Sequence, residues 1–264
     1  NHVWDIFSKN GEAINADFEL ITKSRKSAEI SKTNTVLGNN KVFLEEGAVV
    51  ECSIINTSSG PVYIGKDAEV MEGSVIRGPF ALCEHSALKL GAKIYGPTTI
   101  GPYSKVGGEV NNSVIFGYSN KAHDGFLGNS VIGEWCNLGA DSNNSNLKNN
   151  YSQVKIWNYK AKDFINTGLQ FCGLIMGDHS KCGINTMFNT GTVVGVSANI
   201  FGSGFPSKHI PSFGWGGAEG FREFRLNDAL ELASRVFERR NLSFDKKEEE
   251  IIKEVFDLTA KDRQ

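Results

Sequence analysis

The chain has 264 residues, of which 40% are hydrophobic, so it is long and apolar enough to form a large domain with a core of its own. Its formal net charge of −2 gives no general reason to expect nucleic acid or an anionic membrane as a partner. No run of about 18 apolar residues occurs, so we expect no membrane-spanning helix.

The first 40 residues lack the periodicity found further along. Residues 11–23 are predicted to form a helix that buries Ile14, Phe18, Leu20 and Ile21, and residues 24–40 are polar and loop-like. The chain starts without a methionine and without a basic or apolar leader, so we expect a piece of a longer protein. Its five cysteines contain no Cys-x-x-Cys pair, and an odd number of them is typical of reduced thiols in a cytoplasmic protein.

From residue 64 onward, aliphatic side chains recur every six positions. The first run is unbroken and comprises Ile64, Val70, Ile76, Leu82, Leu88, Ile94, Ile100 and Val106. After a two-residue slip the register resumes at Val114, is broken at Asn120, and continues at Phe126, Ile132 and Leu138. After a longer interruption a third run comprises Met176, Cys182, Phe188, Val194 and Ile200. A period of six fits neither an α-helix nor a simple alternating strand. It predicts a triangular parallel coil in which three hexapeptides form one turn of about 18 residues.

This repeat divides the chain into three parts. Residues 1–40 form an N-terminal helix and loop segment, residues 41–206 form the coil, and residues 207–264 contain a linker and two amphipathic helices. A loop insertion at 141–167 interrupts the coil, and long loops on a rigid scaffold usually carry function or an interface. The C-terminal helices are predicted to cap the coil or to pack on a neighbouring subunit.

The polar stretch 117–146 is the part of the repeat most able to carry chemistry. It contains one histidine, His123, with Lys121 close by and several amide side chains. A neutral histidine near pH 7 is a suitable general base. A lone histidine is more often a structural residue, so composition alone leaves both readings open.

The spacing of particular residues adds a resemblance to a known family. It is carried by Lys121-Ala122-His123, Phe126-Leu127-Gly128, the segment from Ile132 to Ala140, and Asn146. These residues resemble the acetyltransferase half of the bifunctional N-acetylglucosamine-1-phosphate uridyltransferase/glucosamine-1-phosphate acetyltransferase, within the hexapeptide-repeat acyltransferase superfamily. The phrases GYSNKAHDGFLG and GDHSKCGINTMFNTGTVVG are similar to a less characterised branch of sugar nucleotidyltransferase-like proteins.

The resemblance implies an all-β core, wound as a single-stranded left-handed parallel β-helix, and a set of site residues. His123 takes the place of the catalytic base, and backbone groups near Ala140 would stabilise a tetrahedral oxyanion. The implied substrate-binding residues are Lys105, Lys121, Asn137, Asn146 and Lys155. The implied acetyl-CoA-binding residues are Ala140, Gly183, Thr186 and Gly202. Tyrosines and a lysine of the family pattern are replaced by Phe126, Leu147 and Asn111, which leaves the acceptor sugar open.

The implied function is acetyl-CoA-dependent acyl transfer to an amino-sugar phosphate or a nucleotide sugar. The resemblance implies that the chain is part of a bifunctional sugar-1-phosphate nucleotidyltransferase that forms a homotrimer in the cytoplasm. It implies no nucleic acid or membrane partner. The nucleotidyl domain, which would use Mg²⁺, is expected to lie outside this chain, because residues 1–40 contain no glycine-rich nucleotide loop.

Two other functions are compatible with the same coil. One is a non-catalytic trimerisation or regulatory domain of a sugar nucleotidyltransferase, which the replaced lysine and tyrosines favour. The other is a metal hydratase like the γ-class carbonic anhydrases, which share this fold and bind zinc through three histidines. The histidines here are residues 2, 85, 123, 179 and 209, and none lies near His123, so no metal site is predicted.

Overall fold

The computed structural model describes residues 1–263, and its centre is a coil of short parallel strands with three faces. Face 1 contains Thr35–Leu37, Ile54–Asn56, Val75–Arg77, Lys93–Tyr95, Glu109–Asn111 and Phe126–Gly128, with the separate pair Asn143–Asn144 and Met187–Phe188 in later coils. Face 2 contains Val42–Leu44, Val62–Ile64, Phe80–Leu82, Thr98–Ile100, Val114–Ile115, Val131–Ile132, Leu174–Met176, Thr192–Val194 and His209–Ile210. Face 3 contains Val49–Val50, Glu69–Val70, Ala87–Leu88, Lys105–Val106, Asn120–Lys121, Asn137–Leu138, Lys181–Cys182, Asn199–Ile200 and Gly214–Gly217, and it ends on the antiparallel strand Gly220–Glu223.

The predicted fold class, an all-β core wound as a left-handed parallel β-helix with helices at its ends, is confirmed. Each strand pairs with the equivalent strand of the coils before and after it, so the same position points inward in every coil. Ile94, for example, pairs with Ile76 on one side and Val110 on the other, and all three are at most 1% exposed. The repeat therefore forms one continuous apolar column, because burial of each aliphatic residue depends on its neighbours above and below.

The register predicted between Val106 and Ile132 is wrong by one residue. The residues that point inward in this segment are Val110, Ile115, Lys121 and Leu127, spaced by four to six positions, because some corners of these coils are shorter. The residues predicted to point inward, Val114 and Phe126, are only half-buried on the outer surface. A strict six-residue count fails here because a corner with fewer residues moves the inward position along the sequence. The same side of each strand still faces the core.

Two helices at the N-terminus, α1 (Asp5–Ser8) and α2 (Asn10–Thr22), lie against face 2. The Oγ1 of Thr99 donates a hydrogen bond of 2.8 Å to Oδ1 of Asn10 at the start of α2. The coil itself begins earlier than residue 41, since the first strand of face 1 lies inside the segment expected to be a loop. That strand is exposed along its whole length, which explains the absence of an apolar signal there.

The insertion in the coil contains a β-hairpin, Lys155–Asn158 paired with Asp163–Asn166. Residues 142–144, at the start of the predicted insertion, still form part of the coil. The hairpin folds back over face 2, where Val154 and Ile156 are buried together with a group of outward side chains of that face: Val131, Ile175 and Val193. Face 2 is therefore covered on its outside by a second, smaller core.

At the other end of the chain, the coil continues past the predicted limit at residue 206, through the strands at 209–210 and 214–217. Helices α3 (Leu226–Glu238) and α4 (Lys246–Leu258) follow, and a short 3₁₀ helix (Ala260–Arg263) ends the described chain. The N-cap of α4 is Asp245, whose carboxylate accepts hydrogen bonds from the backbone N–H groups of Lys247 and Glu248. None of the helices within residues 1–263 combines the length and the apolar character that a bilayer crossing needs.

We expect Ile94→Ala to lower the free energy of unfolding by about 2–5 kcal/mol, because the truncation leaves a cavity in the apolar column. The matched control is Lys93→Ala in the same strand, whose side chain is exposed on face 1 and should change stability by no more than about 0.5 kcal/mol. Denaturant unfolding of the two variants measures the difference. Equal losses would contradict the assigned inward position.

Candidate functional site

A row of polar side chains points outward from face 3 in four successive coils. Lys105 pairs with Asn120, Asn120 with Asn137, and Asn137 with Lys181. Neighbouring strands are about 4.8 Å apart, so the row is roughly 14 Å long from one lysine to the other. This row forms the floor of a cleft of about 670 Å³.

Helix α3 and the residues just after it form the opposite wall of the cleft, through Leu232, Val236, Arg239 and Arg240. The Arg240 guanidinium donates hydrogen bonds to the carbonyl oxygen of Tyr103 at 3.1 Å and to Oδ1 of Asn120 at 3.3 Å. The helix is therefore fixed directly to the strands that carry the polar row. Without α3, this part of face 3 would be an open surface.

A ladder of stacked aromatic rings at the corner between faces 2 and 3 forms the surface on which α3 packs. His85, Tyr103, Tyr118 and Trp135 occupy the same left-handed corner position in successive coils, with φ between 54° and 60°. Their rings stack in order, with centroids 4.7, 4.9 and 4.1 Å apart. Phe237 of α3 stacks on the end of this ladder, 4.1 Å from Trp135. Stacking at this separation is a favourable aromatic geometry, so the ladder holds the helix in place.

His179 occupies the corner of the following coil and is buried under α3. Its side chain is 7% exposed and its Nδ1 has no hydrogen-bond partner within residues 1–263. Burial, with a smaller contribution from Lys181, lowers the pKa of His179 to about 4. The imidazole is therefore neutral at pH 7 and belongs to the packing of α3 on the coil.

His123 lies at the corner that follows the face 3 strand Asn120–Lys121, and it lines the cleft together with Asn137 and Ala140. Its side chain is exposed, and no group in the described part of the chain forms a hydrogen bond with the imidazole. The structure thus brings the predicted base and two other predicted site residues to one cavity. The Ala140 amide has no acceptor among residues 1–263, so it is a free donor in the cleft wall.

Lys121, predicted to bind substrate, points into the coil instead of the cleft. It fills the inward position between Val106 and Leu138 and is 3% exposed. Its Nζ donates to the carbonyl oxygens of Gly107 at 2.9 Å and His123 at 2.8 Å. Burial lowers the pKa of the Lys121 ammonium to about 8. The side chain therefore ties the corner that carries His123 to the preceding coil.

The remaining predicted residues do not line the cleft, with the exception of Lys105. Asn146 lies at another corner, where its Nδ2 donates to Oδ1 of Asn129 at 2.8 Å, and Lys155 is exposed on the hairpin. Thr186 is buried, and its hydroxyl donates to the carbonyl oxygen of Gly183 at 2.8 Å within its own turn. Gly202 is an exposed corner residue with φ of 96°. The cofactor roles predicted for Gly183, Thr186 and Gly202 stay predictions.

Four charged or amide side chains of the cleft were not predicted from the sequence: Asn120, Lys181, Arg239 and Arg240. Asn120 and Lys181 each directly precede an inward residue of face 3, at the same position as Lys105 and Asn137. Aligning the coils by that face would have found them. The two arginines had no such signal, because only the packing of α3 brings them to the coil.

Within the part of the chain that the structure describes, no group of three histidine, cysteine, aspartate or glutamate side chains is arranged to hold a metal ion.

The chain is similar in sequence to several known proteins. The bifunctional sugar-1-phosphate nucleotidylyltransferase/acetyltransferase of Sulfurisphaera tokodaii is 32% identical over 165 residues, which cover 62% of this chain and 40% of that protein. The bifunctional protein GlmU of Methanococcus maripaludis is 29% identical over 199 residues, covering 75% and 42%. An uncharacterized acetyltransferase of Escherichia coli, YaiX, is 26% identical over 161 residues, covering 60% and 69%. No protein-family model matches the chain.

Among solved structures, the polysialic acid O-acetyltransferase OatWY is 14% identical, covers 72% of this chain and 88% of its own, and superposes with a TM-score of 0.42. An Arabidopsis UDP-N-acetylglucosamine acyltransferase is 18% identical, covers 89% and 94%, and has a TM-score of 0.33.

The resemblance found in the sequence is confirmed by these relatives. The chain is a hexapeptide-repeat β-helix protein, homologous to the bifunctional sugar-1-phosphate nucleotidyltransferase/acetyltransferases and to acetyltransferases of the hexapeptide class. It spans about two-fifths of the length of the two bifunctional relatives named above.

The lowered pKa of Lys121 predicts a specific dependence of stability on pH. An unfolded lysine titrates near pH 10.4, so between about pH 8 and pH 10.4 the unfolded chain binds more protons than the folded one. Stability contributed by this group therefore rises with pH in that window, by up to about 3 kcal/mol. Relative to the Lys121→Met variant, the wild type should gain stability across this range when unfolding is followed at each pH.

Lys93→Met, at an exposed lysine on face 1, is the control for this measurement. Its difference from wild type should stay constant over the same pH range. A constant difference for Lys121→Met as well would show that Lys121 is not held in the apolar column.

Proposed function

We propose that this chain is an acyltransferase module that transfers an acetyl group from acetyl-CoA to an amine or hydroxyl of an amino-sugar phosphate or a nucleotide sugar. One observation carries the proposal: His123, Asn137 and the free Ala140 N–H line the same cleft, beside a row of cationic and amide side chains. Relatives that are named as acetyltransferases give it further support.

In this proposal His123 is the general base. Its imidazole is exposed to the cleft and accepts the proton of the attacking amine or hydroxyl while the new bond to the acyl carbon forms. Proton transfer by a positioned side chain contributes typically about 10²–10⁴-fold to a rate. Lys121 supports this role from inside the coil. The hydrogen bond from its Nζ to the His123 carbonyl fixes the corner from which the imidazole projects.

The acyl carbonyl needs a donor for the negative charge that develops on its oxygen. The Ala140 N–H lies in the cleft wall and is not engaged elsewhere in the described chain, so it meets the requirement for a preorganised donor. Acetyl-CoA supplies the acyl group as a thioester. Collapse of the tetrahedral intermediate breaks the C–S bond, and the coenzyme A thiolate leaves as the thiol after taking the proton that His123 accepted. The residues at Gly139 and Ala140 are small, which leaves room for that group next to the main chain.

Asn120 and Asn137 are assigned to positioning of the acceptor. Their amide groups face the cleft from neighbouring strands, and the Oδ1 of Asn120 is already oriented by Arg240. Hydrogen bonds from two fixed amides restrict the orientation of a sugar and bring its reactive group towards the base.

The proposal includes a homotrimer and a nucleotidyltransferase partner domain, as in the bifunctional relatives. Face 1 supports association, because Ile54, Val75 and Tyr95 are 40–44% exposed along consecutive coils and nothing in the described chain covers them. Apolar side chains gathered on one exposed face are typical of a protein–protein interface.

One observation favours the alternative of a non-catalytic trimerisation or regulatory coil. The His123 imidazole has no group within residues 1–263 that orients it, whereas catalytic bases usually have such a partner. Binding of acetyl-CoA separates the two functions, since a purely structural coil has no need of the coenzyme.

We expect His123→Ala to lower kcat for acetyl transfer by about 100-fold or more while acetyl-CoA binding is retained, because the imidazole acts on the acceptor's proton. Calorimetry with acetyl-CoA and a screen of amino-sugar phosphates and nucleotide sugars measure both quantities. The control is His2→Ala, which removes an exposed histidine that does not line the cleft.

Full transfer by the His123→Ala variant would remove His123 from the mechanism. Absence of binding by the wild type at millimolar acetyl-CoA would favour the non-catalytic coil.

A further inference from the structure

The cleft contains an unbalanced set of positive charges. Lys105 and Lys181 lie at the two ends of its floor, and Arg239 and Arg240 face them from the end of α3. No carboxylate is among the residues that line it. Within residues 1–263, none of the four cations has an ion-pair partner within 4 Å.

Several other basic residues of the C-terminal segment are paired. Arg235 on α3 pairs with Glu231, Lys253 on α4 pairs with Glu249, and Arg263 pairs with Glu223. Arg239 and Arg240 differ from these neighbours, because both line the cleft without a carboxylate partner in the described chain. Like charges held together and partly removed from water destabilise one another unless an anion lies between them.

The direction of the pKa shifts agrees with this picture. Burial lowers the pKa of Lys181, and burial together with the neighbouring Arg239 lowers the pKa of Arg240. Both groups already donate hydrogen bonds within the protein: the Lys181 Nζ donates to the His179 carbonyl, and Arg240 donates to Tyr103 and Asn120. These bonds leave further N–H donors on both groups free for a ligand.

We propose that α3 and face 3 together form a phosphate-ester binding site, in which Arg239 and Arg240 add two cations to the two lysines of the coil. The proposal rests on the proposed function and assigns a substrate-binding role to the C-terminal helix. Arginine is suited to this role because its planar guanidinium can contact two phosphate oxygens at once. The stacking of Phe237 on Trp135 holds the end of α3 at the height of the polar row.

The length of the site indicates more than one phosphate group. The two lysines are roughly 14 Å apart along the strands, which is longer than a single phosphate can bridge. Two sources have the required chemistry: the diphosphate and 3′-phosphate of coenzyme A, and the phosphate of the acceptor sugar. Both are phosphate esters, and binding measurements with separate probes distinguish them.

The test uses the full chain and compares an Arg239→Gln/Arg240→Gln variant with wild type by calorimetry. The probes are coenzyme A, glucosamine 1-phosphate and inorganic pyrophosphate. A hydrogen bond to a charged group is worth enough that loss of the pair should weaken binding of at least one probe by about 10-fold or more. Arg235→Gln is the matched control, because it neutralises an arginine of the same helix that is exposed and paired with Glu231.

Weaker binding of coenzyme A alone would assign the site to the donor, and weaker binding of glucosamine 1-phosphate alone would assign it to the acceptor. Weaker binding of pyrophosphate alone would support the site for a phosphate ester other than these two. Unchanged binding of all three probes by the double variant, or no binding of any probe by wild type, would overturn the proposal.

Arg239→Gln alone guards against a folding defect, since Arg239 is exposed and has no ion-pair partner within 4 Å in residues 1–263. We expect Arg239→Gln to keep the melting temperature of wild type. It should still bind several-fold more weakly the same probe that the double variant binds more weakly. Because these binding measurements need no turnover, they test the phosphate site separately from the proposed acetyl transfer. Phosphate binding without acetyl transfer would contradict only the proposed function, and acetyl transfer with unchanged KM values in the double variant would contradict only the phosphate site.

Discussion

Stacking of equivalent positions from coil to coil is the constraint on which the rest of this structure depends. Each inward aliphatic residue is buried only because the same position in the neighbouring coils is also apolar, as for Ile76, Ile94 and Val110. The same in-register pairing aligns the residues that point outward. It therefore creates the polar row on face 3 and the ladder of rings at the corner between faces 2 and 3. Core, cleft floor and helix platform are three consequences of one repeat.

The repeat departs from its pattern in the coil that carries His123. There the inward position is occupied by Lys121, whose ammonium is satisfied by two main-chain carbonyl oxygens. Burying an amine in an apolar column is unfavourable, and departures from local rules tend to occur at functional sites. In this molecule the departure has a visible structural effect, because one of the two bonds holds the carbonyl of His123 itself.

Helix α3 changes the character of face 3. On its own the polar row would be a flat, solvated strip, and such a strip offers little enclosure to a small molecule. The packing of Phe237 on Trp135 and the bonds from Arg240 to the coil place a second wall opposite the row. The coil thus supplies the order of the functional groups, and the helix supplies the enclosure and half of the positive charge.

The sequence by itself determined the coil, the two C-terminal helices and the neighbourhood of His123, because a six-residue period and helical amphipathicity are local patterns. It could not determine the register between Val106 and Ile132, since a shortened corner has no compositional mark and is decided by what packs inside. Nor could it show that Lys121 points inward while Arg239 and Arg240 reach the cleft. The inward placement of Lys121 depends on the stacking of neighbouring coils, and that of the arginines on contacts between segments more than 100 residues apart, such as Arg240 with Tyr103. Only the folded chain brings these groups together.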